Sequence, residues 1–263
     1  MLGYGVKGAA IATVISRLIE MIILLVWSYL NNYESCGKLR EFLDLDSGIF
    51  AKFFKIAFPV IVNETLWGCG ISVYNSIFGH ISTDSYTSYS IVNTISQLTW
   101  VFCMGCGNGM GVIIGKRIGE RQIGVAKDYA SKSLWFMPLT GALVGLLLIP
   151  LSKTLSFFFN VDQGIIETSV KMLYILVIAY PFNSFCMNWI VGICRAGGDT
   201  VFAAVIEIVV LWCVAIPLGY LAARVLLLPA VWVYAFITTE SLVKAVIGLI
   251  RVKSGKWLHD VTR

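Results

Sequence analysis

Seven long apolar stretches, joined by short polar loops, set the limits on what this chain can become. They run over approximately residues 8–30, 56–79, 86–115, 133–152, 170–193, 201–222 and 228–250. A hydrocarbon core of roughly 30 Å needs about 20 apolar helical residues to cross it, and each stretch supplies that length. Lipid offers no water to backbone N–H and C=O groups, so a spanning segment with no sheet partner must be a helix. Composition agrees: 58% of the 263 residues are hydrophobic and 13% are charged, where a soluble domain carries about 25% charged residues. The expected fold is all-α and integral to the membrane, with about seven transmembrane helices. No short apolar segment with a small-residue cleavage site opens the chain, so no signal peptide is expected.

Loop charge predicts the orientation. Alternate loops hold 14 Lys and Arg residues on one side and 4 on the other, with Arg17 and Lys244 inside spans. The heavy side is the cytoplasmic one, which puts the C-terminus inside and predicts a multi-pass plasma-membrane protein. Residues 31–55 form a charged connector whose Leu39, Phe42, Leu43, Ile49, Phe50 and Phe53 recur at helical spacing. It reads as a short amphipathic helix lying on the membrane surface. An odd number of spans and an abrupt first span, entered from outside, suggest a missing upstream part. A weak match of VKGAAIATVIS (6–16) to VWVYAFITTES (231–241) points to an internal repeat, as transporters commonly contain.

The second stretch carries the main candidate site. Glu64 lies nine residues beyond Lys55, about 13 Å along a helix and so near mid-membrane. A carboxylate there is costly unless it faces a polar cavity, and is therefore a functional-site hypothesis by default. Gly68, Ser72 and Asn75 share its helical face, and Pro59 one turn earlier would open the backbone ladder and bend the helix. The competing reading is a glutamate bonded to a neighbouring helix.

Other polar groups recur inside spans. Ser90, Asn93 and Gln97 form a stripe in the third, with Tyr86 before it and Met104 after, either a wet cavity wall or interhelical glue. In the fifth, Tyr180, Asn183, Ser184 and Asn188 gather around Pro181, where a broken helix would suit a binding site. Glu207 has no partner nearby in sequence and is the second candidate carboxylate. Glu240 with Lys244, and Arg17 with Glu20, read as local ion pairs. Asp199 reads as the cap of the helix that follows it. The glycines from Gly105 to Gly119 permit close helix approach and then a turn, without the GK[ST] signature of a phosphate loop.

Several classes of function find no support. Cys103 and Cys106 have CxxC spacing without a second pair, and read as packing residues along with the other five cysteines. No nucleophile, metal cluster or paired-carboxylate arrangement emerges, so no enzyme and no cofactor are expected. The net charge of +5 follows from the loops and needs no nucleic acid.

Several segments together resemble the multidrug and toxic compound extrusion (MATE) family. GVKGAAIATVISR resembles the start of the family's sixth helix, and KIAFPVIVNETLWG the opening of its seventh. The run from Ser90 to Ala130, with GKRIGERQIGVAK as its most specific part, resembles the eighth helix and the loop after it. ICRAGGDT resembles the loop after the tenth helix and IPLGYL the eleventh. The resemblance implies a twelve-helix transporter of two lobes. Residues 1–30 would be the last helix of an otherwise missing N-terminal lobe, and 31–55 the cytoplasmic connector. Residues 56–252 would be the C-terminal six-helix lobe and 253–263 a cytoplasmic tail.

The implied function is secondary antiport, exporting organic cations or other amphipathic drugs or metabolites in exchange for sodium or protons. The family's cation-binding glutamate falls on Glu64, a candidate site for sodium. The aspartate that some members carry in the tenth helix falls near Ser184, where this chain has no carboxylate. Asn93, Gln97, Tyr180, Asn183, Ser184, Asn188 and Glu207 are candidates for coupling or for lining the cavity. The implied partners are the bilayer, a small amphipathic substrate, and the missing lobe or a second copy. Two other readings stand beside this one: a lipid-linked oligosaccharide flippase of the same superfamily, and a truncated chain without transport activity.

Overall fold

The structure, a computed structural model, describes residues 5–31 and 47–259. Its described residues are almost entirely helical: α1 Gly5–Leu30, α2 Ser47–Ile81, α3 Thr83–Gly119, α4 Ile123–Lys153, α5 Leu155–Phe158, α6 Gln163–Met187, α7 Thr200–Val210, α8 Ile216–Tyr220 and α9 Ala230–Lys253. Three π-helical segments interrupt them, Asn188–Cys194, Leu211–Ala215 and Leu221–Val225. Six helical stretches among the described residues are long and apolar enough to cross a membrane, in α1, α3, α4, α6 with its π segment, α7 through Val225, and α9. The chain is therefore a multi-pass membrane protein. The predicted seventh span lies in α2, whose described part carries Asn63, Glu64 and His80 and is not among the six.

The chain divides into two compact units, residues 1–60 and 61–263. Within the first, α1 carries the expected local pair, with Arg17 donating to Glu20 at 2.7 Å. Residues 32–46 of the predicted surface connector lie outside the described residues. From Ser47 onward the connector is not a separate helix but the first turns of α2. No proline precedes Pro59, and α2 runs on through Pro59 without ending.

In the second unit, helix follows helix through tight, identifiable turns. Ser82 caps α3 by accepting a bond from the Ser85 N–H at 3.0 Å, and Asp84 sits favourably in the first turn. Arg121, at φ 59, turns the chain between α3 and α4. One core cluster joins Tyr74 and Phe78 of α2, Tyr89 and Val92 of α3, Leu173 of α6 and Tyr234 of α9. Phe78 and Tyr89 stack there with ring centroids 4.3 Å apart. A second cluster joins Ile114, Ala130, Trp189, Ala203, Val252 and Trp257.

The expected break at Pro181 is absent. α6 passes through that residue to Met187 and then widens into the π segment. Pro181 removes the bond its N–H would make to Val177, and α4 covers the gap: a Cβ at Gly145 would stand 3.1 Å from Val177 O. The π segment lies against α3 at a crossing of small residues. A Cβ at Gly107 would come within 3.1 Å of Met187 O, and one at Gly111 within 3.3 Å of Gly192 O. Gly105 and Gly109 meet nothing within 4 Å, so only part of the glycine run serves this approach.

After α9 the chain folds back. Trp257 is buried, Gly198 pairs with Leu258 in an isolated antiparallel bridge, and the His259 N–H donates to Gly197 O at 2.8 Å. The described part of the expected tail is thus docked on the loop before α7.

Gly111→Leu should force α3 away from the π segment and cost about 3 kcal/mol, read as a lower thermal midpoint in detergent. Gly105→Ala, facing open space, should leave that midpoint unchanged or raise it slightly.

Candidate functional site

Two faces of α2 have different surroundings. Gly70 and Tyr74 belong to the inner face: Leu211 packs against Gly70, and the Trp212 Nε1–H donates to Leu66 O at 3.2 Å. Asn63 is buried, and its Oδ1 has no hydrogen-bond partner. Glu64 is exposed and makes no hydrogen bond or ion pair with a described residue. Its expected face-mates give it an open flank. Gly68 has nothing within 4 Å of where a Cβ would stand, and Ser72 is exposed with its hydroxyl donated back to Gly68 O at 3.0 Å.

The two candidate carboxylates, Glu64 of α2 and Glu207 of α7, lie within electrostatic range of each other. Glu207 is half-buried, makes no hydrogen bond with a described residue, and lies within electrostatic range of Lys244, Glu64, Arg195 and Glu240. Lys244 and Glu240 form the local pair expected from their spacing, at 3.4 Å. That pair is not isolated. The Tyr74 hydroxyl donates to the second Glu240 oxygen at 3.0 Å, tying α2 to α9. Lys244 has only 9% of its side chain exposed, so its ammonium is held beside Glu240 and within electrostatic range of Glu207 rather than in water.

Residues in the third and fifth spans divide into open and engaged groups. On α3, Tyr86, Ser90 and Gln97 are exposed and Asn93 is half-buried. The side chains of Asn93 and Gln97 make no hydrogen bond with a described residue, as a cavity wall would require. On α6, Tyr180 is buried, and Ser184 donates to Met137 O at 2.8 Å. Asn188 donates to Ser133 Oγ at 2.9 Å, which leaves its Oδ1 buried and unpaired. Ser184 and Asn188 therefore join α6 to α4. Asn183 is half-buried and makes no such bond.

Two groups escaped the sequence reading. Tyr74 gave no signal because its partner lies 166 residues away. Asp199 occupies the cap position of α7, but its side chain makes no capping bond. Instead it accepts from Arg251 Nε at 2.8 Å and Nη2 at 3.0 Å, and pairs with His259 Nε2 at 3.1 Å. A bidentate arginine satisfies both oxygens of a buried carboxylate better than one backbone N–H would. Arg251 also lies over the Phe202 ring, 4.1 Å from its centroid. The six described cysteines are free, Cys103 and Cys106 included. Among the described residues no three His, Cys, Asp or Glu side chains converge as a metal site would require.

Comparison with known proteins finds transporters among the chain's relatives. Residues 59–221 match the profile of the MatE family. The uncharacterized transporter YisQ of Bacillus subtilis is 24% identical over 257 residues, covering 97% of this chain and 56% of its own length. A probable multidrug resistance protein NorM of Mannheimia succiniciproducens is 23% identical over 231 residues, covering 86% of this chain and 49% of its own. A crystal structure of MATE in complex with MaL6 superposes with a TM-score of 0.73 at 18% identity. That match covers 97% of this chain and 58% of the other. The likeness shows the fold, and the chain spans about half the length of the curated relatives it matches.

Lys244→Met should leave Glu240 facing Glu207 without a cation and cost about 3 kcal/mol, seen as a lower thermal midpoint in detergent. Tyr74→Phe removes only one hydrogen bond to the same carboxylate and should cost about half as much.

Proposed function

The chain belongs to the MatE family, and on that premise we propose that it is part of a secondary active antiporter. It exports organic cations or other amphipathic drugs or metabolites in exchange for sodium or protons. Residues 56–252 are the C-terminal six-helix lobe, and 1–30 are the last helix of the N-terminal lobe. The connector 31–55 and the tail 253–263 lie on the cytoplasmic side of the plasma membrane. A second lobe, from the N-terminal half or a second copy, supplies the body against which this one rocks in alternating access.

The observation that carries this reading is Glu64, a carboxylate within a 35-residue helix that bonds to no described residue. An engaged glutamate would serve packing, whereas an unengaged one is free to take a cation and give it up. Glu207 stands within its electrostatic range and substitutes for the carboxylate that the tenth helix lacks. Asn93, Gln97 and Asn183, whose side chains bond to no described residue, line the substrate path. Tyr180, Ser184 and Asn188 support that path through packing. Cation and substrate compete for Glu64, so inward cation flow drives export.

The flippase reading requires an interior of free positive charge to hold pyrophosphate. The buried cation among the described residues is Lys244, and it is paired with Glu240, as the exposed Arg17 is with Glu20. Their charges are already answered, which favours the antiporter.

Ethidium efflux from cells tests the proposal. Expressed alone, the chain should export nothing; co-expressed with the N-terminal lobe of a relative, it should restore efflux. Glu64→Gln should abolish the restored efflux, and Glu207→Gln should weaken it. Undiminished export by Glu64→Gln would refute the role given to that residue. Replacing the sodium gradient with a pH gradient in vesicles then identifies the coupling ion.

A further inference from the structure

A cleft of about 360 Å³ opens between the first turns of α4 and the end of α9. Its floor is apolar and buried, formed by Leu134, Val252 and Trp257. Its rim is polar and exposed, and carries Lys127, Ser131 and Lys253. Both helices are of membrane-crossing length and composition, and the cleft lies where they end. One turn further along α4, Trp135 is 84% exposed. Leu139 and Leu143 continue that apolar flank toward the middle of the helix. An exposed tryptophan between a basic rim and an apolar flank is the pattern expected at lipid head-group level.

The charge of the rim is uncompensated. Lys132 is paired with Asp128 at 2.7 Å, Arg117 with Glu120 at 2.8 Å, and Arg251 with Asp199. Lys127 and Lys253 have no ion-pair partner among the described residues. The Ser131 hydroxyl, between them, makes no hydrogen bond with a described residue. Two free ammonium groups and a free hydroxyl thus face the same space above an apolar floor.

We propose that this cleft binds the phosphate head of an acidic phospholipid between Lys127 and Lys253. The lipid's glycerol region covers the apolar floor, and its acyl chains follow Trp135, Leu139 and Leu143. A free phosphate ion would satisfy the lysines but leave the floor exposed. A zwitterionic lipid would bring a cation up to two lysines. Acidic lipid is the occupant whose charge and apolar surface both match. This inference uses only the multi-pass character of the chain and stands apart from the antiporter reading.

Native mass spectrometry of the purified full chain in mixed micelles provides the test, with phosphatidylglycerol and phosphatidylcholine as probes. The chain should retain one phosphatidylglycerol roughly ten-fold more often than phosphatidylcholine. The double variant Lys127→Gln, Lys253→Gln should lose that preference, whereas Lys256→Gln, outside the cleft, should keep it. All three positions are exposed, and an unchanged thermal midpoint in detergent alone verifies that the variants fold. Equal retention of the two lipids, or undiminished preference in the double variant, overturns the proposal. Displacement of the lipid by millimolar inorganic phosphate, with equal stabilisation by phosphate alone, would assign the cleft to a small anion instead.

Discussion

A helix in lipid satisfies its own backbone, but it gains nothing from burying apolar side chains against another helix, because the lipid tails are as apolar as leucine. Association must come from close contact and from bonds between polar groups. The second unit uses close contact at the crossing of α3 and the π segment Asn188–Cys194, and bonds between polar groups where α6 and that segment meet α4. Gly107 and Gly111 let the backbones approach until a Cβ would stand little more than 3 Å from the opposing carbonyls. The widened π turns present those carbonyls, and π bulges often mark functional places in helices. α4 meets α6 by the same means, through Gly141 and Gly145 beside the backbone loosened by Pro181.

Polar side chains within this frame serve two different ends. Ser184 and Asn188 donate to α4 and Trp212 donates to α2, so each bonds across one helix gap. The buried Lys244 is satisfied in part by Glu240, which Tyr74 holds from the other side. Glu64, Asn93 and Gln97 have no such engagement, and it is this difference that separates candidates for transport from candidates for packing. The charges around Glu207 connect the two groups.

At the opposite end of α9, tertiary bonds decide which basic residues are available. Arg251 is committed to Asp199, and the chain beyond it is held by Trp257, Leu258 and His259. Lys127 and Lys253, beside the resulting cleft, have no ion-pair partner among the described residues. From sequence they were merely members of a basic loop and a basic tail, indistinguishable from Arg117, Lys132 or Arg251.

The sequence by itself determined the helices and the interactions that run along them. Apolar length set the membrane-crossing segments, including those whose ends lie within a few residues of the predicted ones. Spacings of three and four sufficed for Arg17 with Glu20 and for Glu240 with Lys244, because a helix brings such residues onto one face. Only the tertiary structure decided which polar residues are engaged. Tyr74 meets Glu240 and Asp199 meets Arg251 across 166 and 52 residues of chain. Those contacts depend on the register of helix against helix, which periodicity along one helix does not encode. The same holds for the π segments: Pro181 was visible as a place of weakness, but the helix widens seven residues later, where α3 packs against it.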